Sequence, residues 1–166
     1  MNPEQAAVIT APQWERSREL LGMPARDFTL HREPMLLLEK LIDIGPGYGC
    51  CSWQPGDSLF LVPDKGVPAY VGIEAMAQCV AVYAGAMARL RGERPAAGFL
   101  LGARQFQATL AYFDPGAFYE AACRELVRHA QGMASFSCEI RRAGERVAAA
   151  KLAVLQPEPR NSAANA

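Results

Sequence analysis

Residues 66–78 constrain the fold of this chain most, because a single carboxylate, Glu74, stands in a run of apolar and small residues that begins just after Pro68. A proline followed by good helix formers predicts a helix that opens around residues 69–72 and continues to about Arg89. Glu74 then lies in the first turns, where unpaired backbone N–H groups can receive an oxygen atom of a ligand. Glu74 is therefore the first candidate functional residue, against the alternative of a buried carboxylate that only backbone or arginine groups satisfy.

The predicted helix is apolar nearly all round, so it would lie either in a lipid bilayer or in the core of a protein. Residues 67–88 are numerous enough to span a bilayer. Glu74 and Gln78, one turn apart on one face, would be costly in lipid, and the many alanines and glycines make the segment only weakly hydrophobic. We therefore expect a helix wrapped by protein and no membrane partner.

Length and charge narrow the class of protein further. The chain has 166 residues and a mass of 18.0 kDa, which predicts one domain with a substantial core. Its 17 Lys and Arg residues balance 17 Asp and Glu residues, so no surplus of positive charge attracts nucleic acid. A nucleic-acid partner is not expected.

The cysteines and histidines do not form a recognisable metal or redox motif. The cysteines contain no CxxC pair and mostly occupy apolar positions, which favours small core residues in a reducing cytoplasm; they are Cys50, Cys51, Cys79, Cys123 and Cys138. His31 and His129 lie far apart without ligand-spaced partners, so no metal site is predicted. The first residues also lack the basic and then apolar order of a signal peptide, which again predicts the cytoplasm.

A succession of strands surrounds the helix in the sequence. Four strands are predicted downstream, separated by turn residues, at 99–108, 117–127, 133–142 and 146–155. Upstream, residues 35–44 and 48–53 indicate a hairpin around Gly45-Pro46-Gly47, although the first of these segments has an alternative as a partial helix. A short leading helix is predicted at 12–21 and a disordered tail at 156–166.

Three sequence segments carry a family resemblance. Leu30-His31-Arg32-Glu33-Pro34-Met35-Leu36-Leu37-Leu38-Glu39, Ile73-Glu74-Ala75-Met76-Ala77-Gln78 and Asp114-Pro115-Gly116 together resemble the 3-hydroxyacyl-(acyl carrier protein) dehydratases. More narrowly, Gly98-Phe99-Leu100-Leu101-Gly102 and the residues around Pro68 look like the dehydratase-like branch found with aryl-polyene biosynthesis. The resemblance implies an α+β hot-dog fold, in which an antiparallel sheet wraps a long central helix. It divides the chain into an N-terminal extension with a short helix at 1–27, a hot-dog domain at 28–155 and the tail.

The family removes water from a 3-hydroxyacyl thioester, with a base for the C2 proton and an acid for the C3 hydroxyl. By resemblance, Glu74 occupies the acid position and Gln78 the position of a supporting hydrogen-bonding residue. The backbone N–H of Ala69 falls at the oxyanion donor, and Phe60 and Tyr70 at the lining of the acyl pocket.

The family's usual catalytic histidine is missing. It lies 14 residues before the acid, a position that Phe60 occupies here, and no histidine stands anywhere in residues 59–64. Two interpretations remain. Either His31 is the base and dehydrates the substrate with Glu74, or the chain is an impaired acyl-binding or accessory subunit that pairs with an active dehydratase.

The resemblance also implies partners. The substrate is expected on the phosphopantetheine arm of an acyl carrier protein, less readily on coenzyme A, and no metal or redox cofactor is expected. A homodimer, or a heterodimer with another hot-dog dehydratase, is expected because a hot-dog sheet leaves an edge to be covered. Arg32 and Arg104 are candidates for binding the carrier protein, with solvated surface charges as the alternative.

Overall fold

The computed structural model describes residues 9–56 and 60–157. The helices of this part are α1 (Ala11–Glu15) and α2 (Gly72–Leu90), with short 3-10 helices at Arg16–Leu20, Ala25–Asp27, Ala69–Val71 and Ala130–Gly132. The strands are β1 (Lys40–Gly45), β2 (Tyr48–Trp53), β3 (Val67–Pro68), β4 (Phe99–Ala108), β5 (Tyr112–Phe113), β6 (Tyr119–Arg128), β7 (Met133–Arg142) and β8 (Glu145–Leu155).

Six of these strands form one antiparallel sheet in the order β1-β2-β6-β7-β8-β4. Strands β3 and β5 form a separate pair beside the start of α2. Alternation places one set of side chains of each long strand towards the helix. On β7 the buried set is Ala134, Phe136, Cys138 and Ile140, the period-two pattern that the sequence predicts.

Helix α2 lies against the inner face of the sheet and contacts β2, β6 and β7. Residues 69–90 are long and apolar enough to cross a membrane, but 67% of the most apolar window is buried inside the protein. Trp53 and Met76, at 2% and 0% exposure, belong to this core, where Trp53 packs on the ring of Phe113 at 4.7 Å between centroids. The predicted long helix wrapped by an antiparallel sheet, the hot-dog arrangement, is confirmed.

The predicted strand at 35–44 is only partly present. Its second half is β1, whereas the backbone of the first half binds a side chain of the helix: Gln78 Nε2 donates to Met35 O at 2.7 Å, and Leu37 N donates to Gln78 Oε1 at 2.8 Å. The amide of Gln78 therefore takes the place of a neighbouring strand for this segment. Strands β3 and β5, of two residues each, were too short to predict from alternation.

The structure describes part of both ends of the chain. The leading helix predicted at 12–21 corresponds to α1 followed by the 3-10 helix Arg16–Leu20. Of the predicted tail, Gln156 donates its N–H to Gly132 O at 2.9 Å, while residues 158–166 lie outside the described residues. Residues 1–8, and Leu59 in the segment where the family's histidine would lie, also fall outside them.

Candidate active site

The acid proposed from sequence is held by a fully buried amide. Glu74 lies in the first turn of α2, and Gln78 one turn later donates Nε2 to Glu74 Oε1 at 2.8 Å. The same amide bonds both backbone groups of the segment around Met35 and Leu37 described above, and its exposure is 0%. Because two donors and an acceptor are all engaged, Gln78 fixes the Glu74 carboxylate relative to that segment.

His31 lies beside this carboxylate. Its Nε2 atom is 3.8 Å from Glu74 Oε1, and the two side chains are 37% and 33% exposed. The other ring nitrogen, Nδ1, lies 2.6 Å from the hydroxyl of the buried Thr29. Thr29 therefore fixes the plane of the imidazole while Nε2 faces the carboxylate and the solvent-accessible space.

Two contacts hold the segment that carries Thr29 and His31. A side chain at Gly85 would place its Cβ 1.7 Å from the carbonyl oxygen of Phe28, so only glycine lets this segment lie so close to α2. Arg32 donates to the carbonyl oxygens of Thr29 at 2.9 Å and of His31 at 2.7 Å. In this structure the guanidinium of Arg32 thus stabilises the local backbone, whereas Arg104 stands exposed on the edge strand β4.

Glu74 and His31 lie at one end of an apolar cavity of about 420 Å³. Its floor is a stripe of small residues on α2 spaced by three or four positions: Ala77, Val80, Ala81 and Ala84. From Glu74 to Ala84 this floor is roughly 15 Å long at the helical rise per residue. Among the other lining residues are Phe99 and Leu100 of β4, Phe136 of β7 and Val154 of β8. The site combines two groups able to move protons with space for an extended apolar chain.

The structure does not bring the other predicted site residues to this cavity. The N–H of Ala69 donates to Ala111 O at 2.9 Å, so an oxyanion could bind it only after that bond breaks. Tyr70 is 66% exposed and Phe60 packs against the core, and neither lines the cavity that holds Glu74 and His31. The resemblance aligned these residues by their distance in sequence from Glu74; in the structure Tyr70 belongs to the 3-10 helix Ala69–Val71, which precedes α2, and Phe60 lies before the β3–β5 pair.

Sequence reasoning missed Thr29 and Arg128. Thr29 stands two residues before His31, a spacing at which a hydroxyl commonly bonds a nearby group, and this was the available signal. Arg128 lines the cavity because the register of β6 shifts by one residue between Glu125 and Val127, and the sequence contains no pattern that predicts this shift.

The cysteines do not contribute a nucleophile to the site. All five are free and buried, and burial raises the pKa of the Cys50 thiol to about 11 and that of Cys138 further. Such thiols are protonated at neutral pH, which agrees with their interpretation as core residues. Within residues 9–56 and 60–157, no three His, Cys, Asp or Glu side chains come together in a way that could hold a metal ion.

The fold and the pairing of a carboxyl group with an imidazole beside an apolar cavity define a hot-dog protein with groups able to carry out acid–base chemistry. The sequence matches the ApeP-like family model, described as ApeP dehydratase, over residues 23–165, and the chain belongs to this family of dehydratases. No curated protein matches the sequence.

Solved structures share the fold of this chain. The dehydratase heterocomplex ApeI:P from Xenorhabdus doucetiae has a chain that is 28% identical, with a TM-score of 0.76 over 81% of this chain and 91% of that one. Protein PH1136 from Pyrococcus horikoshii is 16% identical with a TM-score of 0.60, over 82% of this chain and 96% of that one. A hypothetical thioesterase from Streptococcus pneumoniae, solved with coenzyme A, is 8% identical with a TM-score of 0.55, over 70% and 84% of the two chains. The last two share the fold alone.

Proposed function

We propose that this chain dehydrates a 3-hydroxyacyl thioester carried on acyl carrier protein to the trans-2-enoyl thioester, with His31 as base and Glu74 as acid. The observation that carries the proposal is the 3.8 Å approach of His31 Nε2 to Glu74 Oε1 at the end of an acyl-sized cavity. Neither residue lies at the position of the family's usual histidine, so this pairing would be a relocated dyad within one chain.

The reaction follows from the position of the two groups. The neutral imidazole of His31 takes the C2 proton, the C2–C3 double bond forms, and the C3–O bond breaks as the protonated Glu74 donates its proton to the leaving hydroxyl, which departs as water. Because the two groups are in neighbouring positions, they act on the same face of the substrate. The proton on His31 then returns to Glu74, which restores both groups for the next substrate.

The hydrogen bonds of Gln78 and Thr29 support these roles of Glu74 and His31. Gln78 donates to one carboxylate oxygen of Glu74 and leaves the other free to carry the proton that the hydroxyl needs. Thr29 engages Nδ1 of His31 and leaves Nε2 for the substrate. Each catalytic group is thus oriented by a neighbour that is at least 95% buried, with exposures of 0% for Gln78 and 5% for Thr29.

An accessory role is the second candidate, and a specific observation favours it. Strand β4 is an edge of the sheet and, among the strands of the described residues, pairs with β8 alone. It exposes Leu101 at 53%, next to Phe99 and Leu100, which are 56% and 41% exposed and also line the cavity. Such an edge supports pairing with another chain, either a second copy or a different hot-dog dehydratase. The similar protein from Xenorhabdus doucetiae is part of a heterocomplex of dehydratases. A cytoplasmic location and the phosphopantetheine-borne substrate belong to both candidates.

The deciding experiment is mass spectrometry of a 3-hydroxydecanoyl carrier protein incubated with the purified chain. We expect the loss of one water molecule per acyl group with the wild type alone, and a rate about 10² lower for His31→Ala. Phe60→His is the comparison variant. It places a histidine at the position that aligns with the family's usual catalytic histidine and keeps His31 unchanged.

Two results would exclude the relocated dyad. Full turnover by His31→Ala would remove that residue from the base role. No turnover by the pure chain, but turnover on adding a hot-dog dehydratase that carries the family histidine, would establish the accessory role instead.

A further inference from the structure

A charged pair lies on the helix-facing side of β6, where the side chains of Glu125 and Arg128 are 21% and 38% exposed. Arg128 on β6 donates from Nε to both carboxylate oxygens of Glu125, at 3.1 and 3.2 Å, and from Nη2 to Oε2 at 2.5 Å. Glu125 lies opposite Phe136 and Arg128 opposite Ala134, both buried residues of the helix-facing set. Opposite residues of an antiparallel pair project to the same face, so both charged side chains point towards the cavity side.

A β-bulge produces this orientation. In a regular strand, residues three positions apart face opposite sides of the sheet. The register of β6 shifts between Glu125 and Val127, so that Leu126 is an extra residue and is 53% exposed. Without the bulge, Arg128 would lie opposite Met133 and point outward. Bulges next to binding sites commonly re-aim a side chain in this way.

Arg128 lies at the far end of the cavity from Glu74. The start of α2 is next to Ile140 of β7, since a Cβ on Gly72 would stand 3.0 Å from Ile140 Cδ1. Further along the helix, Tyr83 packs on Phe136 with ring centroids 6.2 Å apart. Following α2 away from Glu74 therefore means following β7 from Ile140 towards Ala134, the residue opposite Arg128.

The far end of the cavity is also polar. Among the described residues that line the cavity, the charged or titratable side chains are Glu74 and His31 at one end and Arg128 at the other. The carboxylate of Glu125 engages Nε and Nη2, so further N–H donors of the guanidinium remain for a ligand. Gln156, which is bonded through its backbone to Gly132, lines the same end and adds a side-chain amide.

We propose that Arg128, held by Glu125 and assisted by Gln156, binds an oxygen atom at the end of the acyl chain remote from the thioester. The preferred substrates then carry a hydrogen-bond acceptor at that terminus rather than a plain methyl group. This inference rests on the proposed function, because it takes the cavity to hold an acyl chain whose thioester end lies at Glu74. Arg128 is thus a specificity-determining residue.

Binding of unreactive acyl probes tests the proposal without turnover. The probes are N-acetylcysteamine thioesters in matched pairs, with a saturated chain that ends in a methyl or in an ω-hydroxyl group, from decanoyl to tetradecanoyl. Calorimetry on the full chain should give about tenfold tighter binding of the ω-hydroxyl member at the length that reaches Arg128, the magnitude of one charge-assisted hydrogen bond. The double substitution Glu125→Gln with Arg128→Met should remove this preference without leaving an unpaired carboxylate.

The matched control is Arg124→Met on the same strand. Arg124 lies opposite Ser137 with its guanidinium over the ring of Tyr48 at 4.9 Å, on the outer face, so its loss should leave the preference unchanged. Equal binding of both members of every pair to the wild type would overturn the role of Arg128. A preference that survives in the double variant would overturn it as well. If no probe binds at any length, the cavity is not an acyl site, and the proposed function fails together with the inference.

Discussion

The two faces of helix α2 differ in how completely they are buried. The face towards the sheet is closed, with Ala75, Met76, Cys79 and Val82 at 0% exposure. The face towards the cavity carries Glu74 and the floor residues Ala77, Ala81 and Ala84, all of which are only half-buried. Side-chain volume matters for stability on the first face because neighbours fill all the space, whereas the second face borders the cavity that we propose holds the substrate. Substitutions should therefore affect stability on one face and reaction on the other.

The largest expected effect lies on the cavity face and concerns rate. Glu74→Gln should lower turnover by about 10² to 10⁴-fold, because the amide keeps the shape but cannot donate the proton that the hydroxyl needs. Its unfolding midpoint in urea should stay at or above that of the wild type. The control is Glu93→Gln, just beyond the helix, which removes an exposed ion pair with Arg91. Turnover retained by Glu74→Gln would remove Glu74 from the acid role.

On the sheet face we expect the opposite outcome. Met76→Ala should lower the free energy of unfolding by about 2–5 kcal/mol, since it opens a cavity between α2 and the sheet. Urea denaturation measures this change, and the residual folded protein should keep its turnover per molecule. Met133→Ala, at a side chain that is 45% exposed, is the matched comparison and should have little effect on stability. Equal losses for both variants would mean that the two faces do not differ as described.

A smaller effect should follow from releasing the histidine. Thr29→Val has nearly the same shape but loses the hydroxyl that engages His31 Nδ1, so turnover should fall about tenfold, the worth of one hydrogen bond. Thr29→Ser keeps the hydroxyl and should retain most of the activity. The comparison uses single-turnover kinetics on the same carrier-bound substrate. If the valine variant is as active as the serine variant, the Thr29 contact does not orient a base.

The smallest change should appear on the cavity floor. Ala81→Leu adds volume where the floor is open, so stability should change by no more than about 0.5 kcal/mol. Long acyl substrates should lose about tenfold in kcat/KM while short ones are unaffected. A series of carrier-bound substrates of increasing chain length measures this. A uniform loss at every length would show that the stripe is not where the acyl chain lies.

Much of the architecture could be predicted from local patterns. The apolar run around Glu74 predicted α2, and alternation in residues 133–142 predicted β7 with its buried set. The hot-dog arrangement itself could be predicted only from the family resemblance, because the order of the strands depends on long-range pairing that local sequence patterns do not contain.

The site was predictable only in part. Glu74 and Gln78 share a helix face, so their contact follows from spacing. The approach of His31 depends on the path of the segment after Phe28, which Gly85 and Arg32 fix through contacts distant in sequence. Phe60 and Tyr70 were assigned by alignment to a family pattern whose histidine this chain lacks, and the structure does not bring them to the cavity. The position of Arg128 depends on a one-residue bulge, and a strand pattern does not reveal bulges.

The hydrogen bond from the Leu37 backbone to the side chain of Gln78 offers a way to observe the site in solution. Leu37 is buried, and its amide proton can exchange with solvent only when its bond to Gln78 Oε1 opens. Gln78 also bonds Glu74 through Nε2, so the exchange rate of this single proton reports how often the hydrogen-bond network around the carboxylate opens. Hydrogen exchange at Leu37 can therefore follow the integrity of the site in the resting protein, with no substrate present.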